Sequence, residues 1–385
     1  MRSVTMKAAP NKKKIIFSGN HLYDLMNFRG FVIRRLHKEG HQVIVIAPKQ
    51  GEFGATLAHL PKGVRFIPVK MDRCGTNPFR DLSYYRSLLR IYKKERPDFI
   101  FHYSIKPNIY GTVAATRLGI PNAAMIAGLG YAISEGGIMT HLANYMYRKA
   151  VCHATRVFTL SRDNYDYVIQ KRFSTAEKTI LLKGGEGVDL KAYPFKKNAS
   201  PHTRFLLVAR VLADKGYHEF VEAARIVRAQ YPEVRFQLLG TIDPKYPLYI
   251  SLEKVTEDVE SGAIEYLGST DNVVSVAGKA GTVVVLPSYH EGMSRSLMEA
   301  LSMGKPIIAS DIPGCREMVM EGVNGFLCQP RDARSLADAC LRYLQLSEQD
   351  KEFFSLASRR LAEQVFDIGQ VYAEYKRVLR EALGD

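Results

Sequence analysis

Short runs of apolar, often β-branched residues alternate along this chain with longer segments whose apolar positions recur every three to four residues. This is the pattern of strands buried in a parallel sheet and of amphipathic helices that cover it. In the first half it predicts strands at 14–18, 41–47, 65–68, 98–102, 122–126 and 156–160, with helices at 29–40, 81–95, 109–118 and 141–154. Over 184–203 the periodicity gives way to Gly184-Gly185-Glu186-Gly187, then Pro194, Lys196-Lys197 and Pro201, which reads as a linker. A second series follows, with strands at 204–209, 235–239, 264–267, 282–286 and 306–309 and helices at 217–229, 271–280, 294–303, 314–320 and 333–346. Helical sequence over 351–383 ends the reading.

Two α/β domains result, 1–190 and 200–366, with a last helix at about 367–385 expected to pack back on the first; 385 residues are enough for about two such cores. Parallel sheets facing each other across a cleft would hold a ligand at the carboxyl ends of both sets of strands. The first strand-to-helix turn, Phe17-Ser18-Gly19-Asn20-His21, has one glycine where a dinucleotide fingerprint has three, which disfavours a nicotinamide cofactor.

Composition changes this picture little. Apolar residues make up 46% and charged residues 24%, as in ordinary globular proteins, and no internal repeat or low-complexity tract is visible. Residues 1–14 are polar and basic, and no stretch reaches the ~18 apolar residues of a membrane span. The expected location is therefore the cytoplasm. Cys74, Cys152, Cys315, Cys328 and Cys340 are an odd set without a CxxC pair, so a disulfide framework and a zinc knuckle are both unsupported.

Charge changes more. The formal net charge is +15, and its excess lies in residues 1–190, which hold 30 Lys and Arg against 13 Asp and Glu; residues 191–385 hold 24 against 26. A half this basic points to an anionic partner: nucleic acid, an anionic membrane surface or a phosphorylated substrate. Nucleic acid is disfavoured, because the basic residues are scattered and no recognition motif accompanies them.

The strongest chemical motif runs from Pro287 to Ala300. It follows the run Val283-Val284-Val285-Leu286 and opens a helix, so Gly292 permits close backbone approach and the amides of Ser294 to Leu297, Ser296 among them, form an anion site. Glu291 lies just before that helix and Glu299 within it, placed to hold hydroxyls beside a phosphate and further back. Leaving the first strand of the second half, Arg210 and Lys215 can converge on a diphosphate, with a fork and a point charge respectively. Together these read as a nucleoside-diphosphate site.

The Glu-x7-Glu element, the Ala209-Arg210-x4-Lys215-Gly216 element, the Leu267-Gly268 turn and the run Gly304-Lys305-Pro306-Ile307-Ile308-Ala309-Ser310-Asp311 resemble the retaining GT-B glycosyltransferases of family 4. The resemblance covers nearly the whole chain and is most specific over 204–326. Within the family it looks closest to bacterial enzymes that add an N-acetylhexosamine to a polyprenyl-diphosphate-linked sugar, the PglA-type N-acetylgalactosaminyltransferases. Phe28-Arg29 and Lys106-Pro107-Asn108-Ile109-Tyr110-Gly111 match that subgroup in outline.

The resemblance implies a GT-B fold, a UDP-sugar donor and no metal. It implies that Arg210 and Lys215 stabilise the departing diphosphate, that Glu291 contacts the donor sugar and Glu299 the ribose, and that Gly292, Met293, Ser294, Ser296 and Leu297 grip sugar and phosphate. Gly240, Leu267 and Gly268 would lie at the base, and Gly19 joins the donor-binding set. Preorganised cations and helix amides would supply most of the stabilisation. The incoming hydroxyl would attack from the leaving-group face, with the donor phosphate as base. Many members carry a histidine after the strand at 122–126; Ala127-Gly128-Leu129-Gly130 stands here instead, and no histidine role is assigned.

Lys106 and Asn108, after the fourth strand, are candidates for holding the acceptor's diphosphate or sugar, as is Arg29 at the start of the first helix. His102 reads as a core or rim histidine. The helix at 141–154 interleaves Leu142, Tyr145 and Met146 with Arg148 and Lys149; it is either a core helix or a membrane-facing one. The expectation is a peripheral enzyme on the inner face of the cell membrane whose first domain meets anionic lipid and a lipid-linked saccharide. The rivals are a member with a soluble acceptor and a UDP-sugar epimerase on the same fold.

Overall fold

The computed structural model describes residues 12–49, 57, 58, 60–72, 75, 77–127 and 138–384. The chain divides into two compact units, Met1–Leu182 with Tyr372–Asp385, and Lys183–Val371.

The first unit contains a seven-stranded parallel sheet made of Lys14–Ser18 (β1), Gln42–Ala47 (β2), Arg65–Pro68 (β3), Phe99–Tyr103 (β4), Asn122–Ile126 (β5), Arg156–Thr159 (β6) and Thr179–Leu181 (β7), in the order β3-β2-β1-β4-β5-β6-β7. Helices Leu22–Lys38 (α1), Pro78–Glu95 (α2), Thr112–Arg117 (α3), Ile138–Val151 (α4) and Arg162–Gln170 (α5) connect the strands. Every residue of β4 and β5 is buried, as strands covered on both faces require. Helix α1 begins seven residues before the predicted start, because Leu22, Leu25 and Met26 already bury on its inner face. Asn77 caps α2, its side chain accepting from the amides of Phe79 and Arg80, with Pro78 at the first helical position. A π-helical turn, Pro107–Gly111, precedes α3 where the sequence predicts continuous helix. Tyr375, near the end of the chain, is buried between Phe101 and Phe158, with ring centroids 4.9 and 5.1 Å away, and its hydroxyl lies 3.1 Å from that of Tyr103. These contacts make the terminal residues part of the first core.

The second unit holds a six-stranded parallel sheet of Arg204–Val208 (β8), Arg235–Leu239 (β9), Glu265–Tyr266 (β10), Thr282–Leu286 (β11), Ile307–Ser310 (β12) and Gly325–Cys328 (β13), in the order β10-β9-β8-β11-β12-β13. Its helices are Tyr217–Arg228 (α6), Leu252–Glu260 (α7), Val273–Ala277 (α8), Arg295–Ser302 (α9), Ala333–Leu344 (α10) and Glu348–Leu361 (α11); Ile368–Leu383 (α12) ends the chain. Three sequence expectations are corrected here. The glycine run after Leu182 is packed structure: Cβ atoms at Gly184, Gly185 and Gly187 would lie 2.2, 2.5 and 2.7 Å from atoms of Val365, Met293 and Ile368. The rest of the expected linker is tied down too, since buried Lys305 donates to the Asn198 side chain (2.9 Å) and to the carbonyls of Lys279 and Lys196 (3.0 and 3.3 Å). Over 314–320 a single 3-10 turn, Arg316–Met318, replaces the predicted helix, and over 351–383 the helix breaks at Asp367, which is extended and bridges Val188.

Cys315, Cys328 and Cys340 are buried and reduced, and burial pushes the Cys328 thiol up to about 12. Cys74 lies outside the described residues, as do Gly128 to Gly130. No helix among the described residues is long and apolar enough to cross a membrane.

Candidate functional site

In the second sheet β8 lies between β9 and β11, so the chain order reverses there and the carboxyl ends of β8 and β11 flank the switch-point crevice where open α/β sheets bind ligands. After β8 the chain makes a 3-10 turn, Ala213–Lys215, that ends on Gly216 at φ +76°, the start of α6. A Cβ there would fall 2.2 Å from the Pro287 carbonyl oxygen, so only glycine lets this turn press against the loop after β11. The amide of Tyr289 donates to the Asp214 carbonyl (2.9 Å), locking the two loops together. Thus Lys215 Nζ comes 2.7 Å from Glu291 Oε1, which also accepts from Ser288 Oγ at 3.0 Å. Both partners of the ion pair are mostly buried, with side-chain exposures of 17% and 16%. Arg210 is exposed on the same edge, its guanidinium 4.1 Å from the ring centroid of Tyr246.

Ser294 caps α9, its Oγ accepting from Leu297 N at 3.4 Å and lying 3.2 Å from Ser296 Oγ. The Ser294 amide donates to the Gly314 carbonyl (3.4 Å). Of the amides that the sequence offers to an anion, that of Ser296 is in neither bond. Gly314, at φ +81°, passes so close that a Cβ would lie 2.5 Å from the Gly292 carbonyl oxygen. Met293 is a packing residue, its side chain buried against Gly185. Glu299 is buried on α9, 3.0 Å from the Arg295 guanidinium. Burial raises its pKa above the ordinary glutamate range, while Arg295 and the Tyr193 hydroxyl draw it back. Tyr193, which the sequence did not flag, is itself pushed up to about 12, by burial first and then by Glu299.

The residues expected at the base meet as well. Gly240 donates to the Gly268 carbonyl (2.8 Å), and Leu267 to that of Leu238 (2.8 Å). The Tyr266 hydroxyl donates to the Gly240 carbonyl at 2.9 Å, and a Cβ on Gly240 would lie 1.7 Å from the Ala209 carbonyl oxygen. The loops after β8, β9 and β10 therefore meet around Gly240, where there is no room for a side chain.

The remaining candidates belong to the first unit, where β1 and β4 flank the switch point. Gly19 follows β1, its amide bonded to the Ile46 carbonyl (3.0 Å). Ser104, just past β4, holds φ +74°, unusual for a residue with a side chain, and its Oγ donates to Asn20 Oδ1 at 2.8 Å, joining the two strand ends. Neither residue stands out in the sequence as a partner of the other. Lys106 bonds Asp81 at 2.5 Å and the Gly75 carbonyl at 2.7 Å. Arg29 is 5% exposed, with its guanidinium 4.6 Å from the Tyr103 ring centroid. Asn108 requires a correction: it is fully buried, its amide donating to the Met125 carbonyl (2.8 Å) and to Tyr147 Oη (3.2 Å), so it braces β5 and α4 and does not face a ligand.

Two family profiles match this chain, a glycosyl transferase 4-like domain over residues 32–185 and glycosyl transferases group 1 over residues 202–346. The chain belongs to family 4 of the glycosyltransferases. The transferase is 28% identical over 379 residues to the N,N'-diacetylbacillosaminyl-diphospho-undecaprenol alpha-1,3-N-acetylgalactosaminyltransferase of Campylobacter jejuni, covering 92% of this chain and 96% of that one. It is 25% identical over 316 residues to the UDP-Gal:alpha-D-GlcNAc-diphosphoundecaprenol alpha-1,3-galactosyltransferase of Escherichia coli, covering 76% and 78%. Among solved structures, Anabaena HepE in complex with UDP-glucose superposes with a TM-score of 0.74 at 19% identity, over 96% of this chain and all of that one. The fold of the transferase is GT-B.

Proposed function

We propose that this transferase moves a sugar, an N-acetylhexosamine, from a UDP-sugar to a polyprenyl-diphosphate-linked saccharide, with retention of anomeric configuration, in the synthesis of a bacterial surface polysaccharide or glycan. The observation that carries the chemistry is the Lys215–Glu291 pair, fixed at 2.7 Å at the switch point of the second sheet beside the first turn of α9. The acceptor class rests on the lipid-linked acceptors named for both curated relatives.

In this reading the donor's anomeric C–O bond breaks as the acceptor oxygen bonds the same carbon, UDP departs, and the acceptor's proton passes to the departing diphosphate. Negative charge grows on that diphosphate, and groups fixed beforehand stabilise it without reorganising. Lys215 and Arg210 supply cations and the start of α9 a backbone donor, so the protein meets the charge itself. Glu291 holds sugar hydroxyls from the position that Lys215 and Ser288 give it, and buried Glu299 holds those of the ribose. Gly240, Leu267 and Gly268 bound the base, and Gly19 completes the donor set. Lys106 and Arg29 stand on the acceptor side. The basic first half keeps the protein on the anionic inner face of the cell membrane, each near-surface cation adding about 1 kcal/mol.

The test is product analysis. Incubation with a panel of UDP-sugars and a polyprenyl-diphosphate-linked sugar is expected to add the mass of one N-acetylhexosamine to the lipid-linked sugar, with an α linkage by NMR. Conversion of a UDP-sugar with no acceptor present would replace this reading by that of an epimerase.

A further inference from the structure

Helices α2, α3 and α4 of the first unit carry Phe79, Leu82, Val113, Leu142 and Tyr145 exposed, a concentration of apolar surface of the kind that marks interaction sites. Between them opens a groove of about 530 Å³ whose walls include Leu82, Ile109, Val113, Tyr145 and Met146. The exposed charges on these helices are all positive, Arg86, Arg117, Arg148 and Lys149 among them, and Lys149 lines the groove itself. Their two acids are buried and matched: Asp81 bonds Lys106 and the Tyr110 hydroxyl (2.5 and 2.9 Å), and Glu95 takes both arms of the Arg65 guanidinium at 2.9 Å.

The groove is also placed. Its acidic wall residue among the described residues, Asp81, is held by Lys106, which lies three residues beyond β4 and two beyond strained Ser104, so the groove adjoins the carboxyl edge of the first sheet at its switch point. A soluble sugar has no use for an apolar groove, and a protein helix laid across this face would need acids to meet its cations. A long hydrocarbon with an anionic head satisfies both features, with the chain buried and the head among the cations. We propose that this groove holds the polyprenyl chain of the acceptor, next to its diphosphate, and so makes chain length a determinant of substrate choice. The inference rests on the lipid-linked acceptor reading above.

Polyprenyl diphosphate carrying a diazirine on its chain, photolysed with the full-length protein in detergent, is expected to label peptides containing residues 78–85, 109–113 and 145–150. Unlabelled polyprenyl diphosphate should compete and phosphatidylglycerol should not. Equal competition by phosphatidylglycerol would mean that the face only rests on bilayers, and labelling elsewhere would remove the groove from the acceptor's path; either overturns the proposal. Leu82→Ser and Val113→Asp alter exposed side chains and should leave the fold intact. Each should raise the KM for a long-chain acceptor about tenfold, with kcat and the activity on a two-isoprene acceptor unchanged. Equal loss on both acceptors would contradict the proposal. Transfer that ignores chain length refutes the groove and leaves the lipid-linked reading standing. Groove labelling in a protein that transfers to no lipid-linked sugar refutes that reading and leaves an isoprenoid site.

Discussion

Lys215 and Glu291 are 76 positions apart, yet their side chains meet at 2.7 Å, and each of the two motifs was visible in the sequence as a spacing. Glu291→Gln keeps the shape and leaves Lys215 without its counter-charge; transfer should fall about a hundredfold with little change in Tm. A variant of near-normal rate would take Glu291 out of the site. Glu299 makes a prediction in pH. Its pKa is raised by burial, so the stability it contributes is fully present below the ordinary glutamate range and is lost as pH rises through the folded-state value. The Tm of the wild type relative to Glu299→Gln should therefore decline with rising pH across that interval, and a constant difference would show that burial is not what governs this carboxyl. The partners of these residues were not legible. Tyr193, Tyr266 and Ser104 meet their partners from loops distant in sequence, and Ser288, three residues before Glu291, lies in the motif without a spacing that marks it, since hydroxyl-bearing residues carry no spacing signal of their own. Asn108 misled because a polar residue after a strand reads as exposed, whereas here β5 and α4 supply its hydrogen-bond partners from inside the core.

At the level of elements, the alternation of strand and helix was plain wherever a strand had four or more apolar residues. It failed at β7, three residues long, and at β13, Gly325–Cys328, whose glycine and short run resemble a turn. The glycines after Leu182 misled for a physical reason, since a glycine needed for close packing and one that frees a linker look alike until the neighbouring backbone is known. Close approach predicts large effects. Gly216→Ala would set a Cβ 2.2 Å from the Pro287 carbonyl oxygen at φ +76°, a conformation that costs roughly 1–2 kcal/mol before any clash. The urea midpoint should drop, and affinity for UDP should weaken because Lys215 and Glu291 are held by this contact. Normal stability with normal UDP binding would contradict the role given to the loop contact.

For the whole molecule, the sequence predicted two α/β units and a returning C-terminal helix. The side chain that commits the end of the chain to the first unit is Tyr375, fully enclosed by Phe101, Phe158 and Tyr103. Tyr375→Ala should cost the first unit about 3–5 kcal/mol in chemical denaturation, as deletion of a large buried aromatic does. A loss below 1 kcal/mol would show that the terminal helix is only loosely attached. The charge asymmetry, with its excess in the first 190 residues, was legible at once; composition alone left its partner open until the motifs disfavoured nucleic acid, and on α2, α3 and α4 the cations share a surface with exposed apolar side chains. The measurement that bears most directly on the function is the rate of UDP release with donor alone, acceptor alone and both together. Release that requires both the UDP-sugar and the polyprenyl-diphosphate-linked sugar, and that collapses in Glu291→Gln, is the result predicted. Release that is indifferent to the lipid-linked sugar, or untouched by that substitution, would contradict the account.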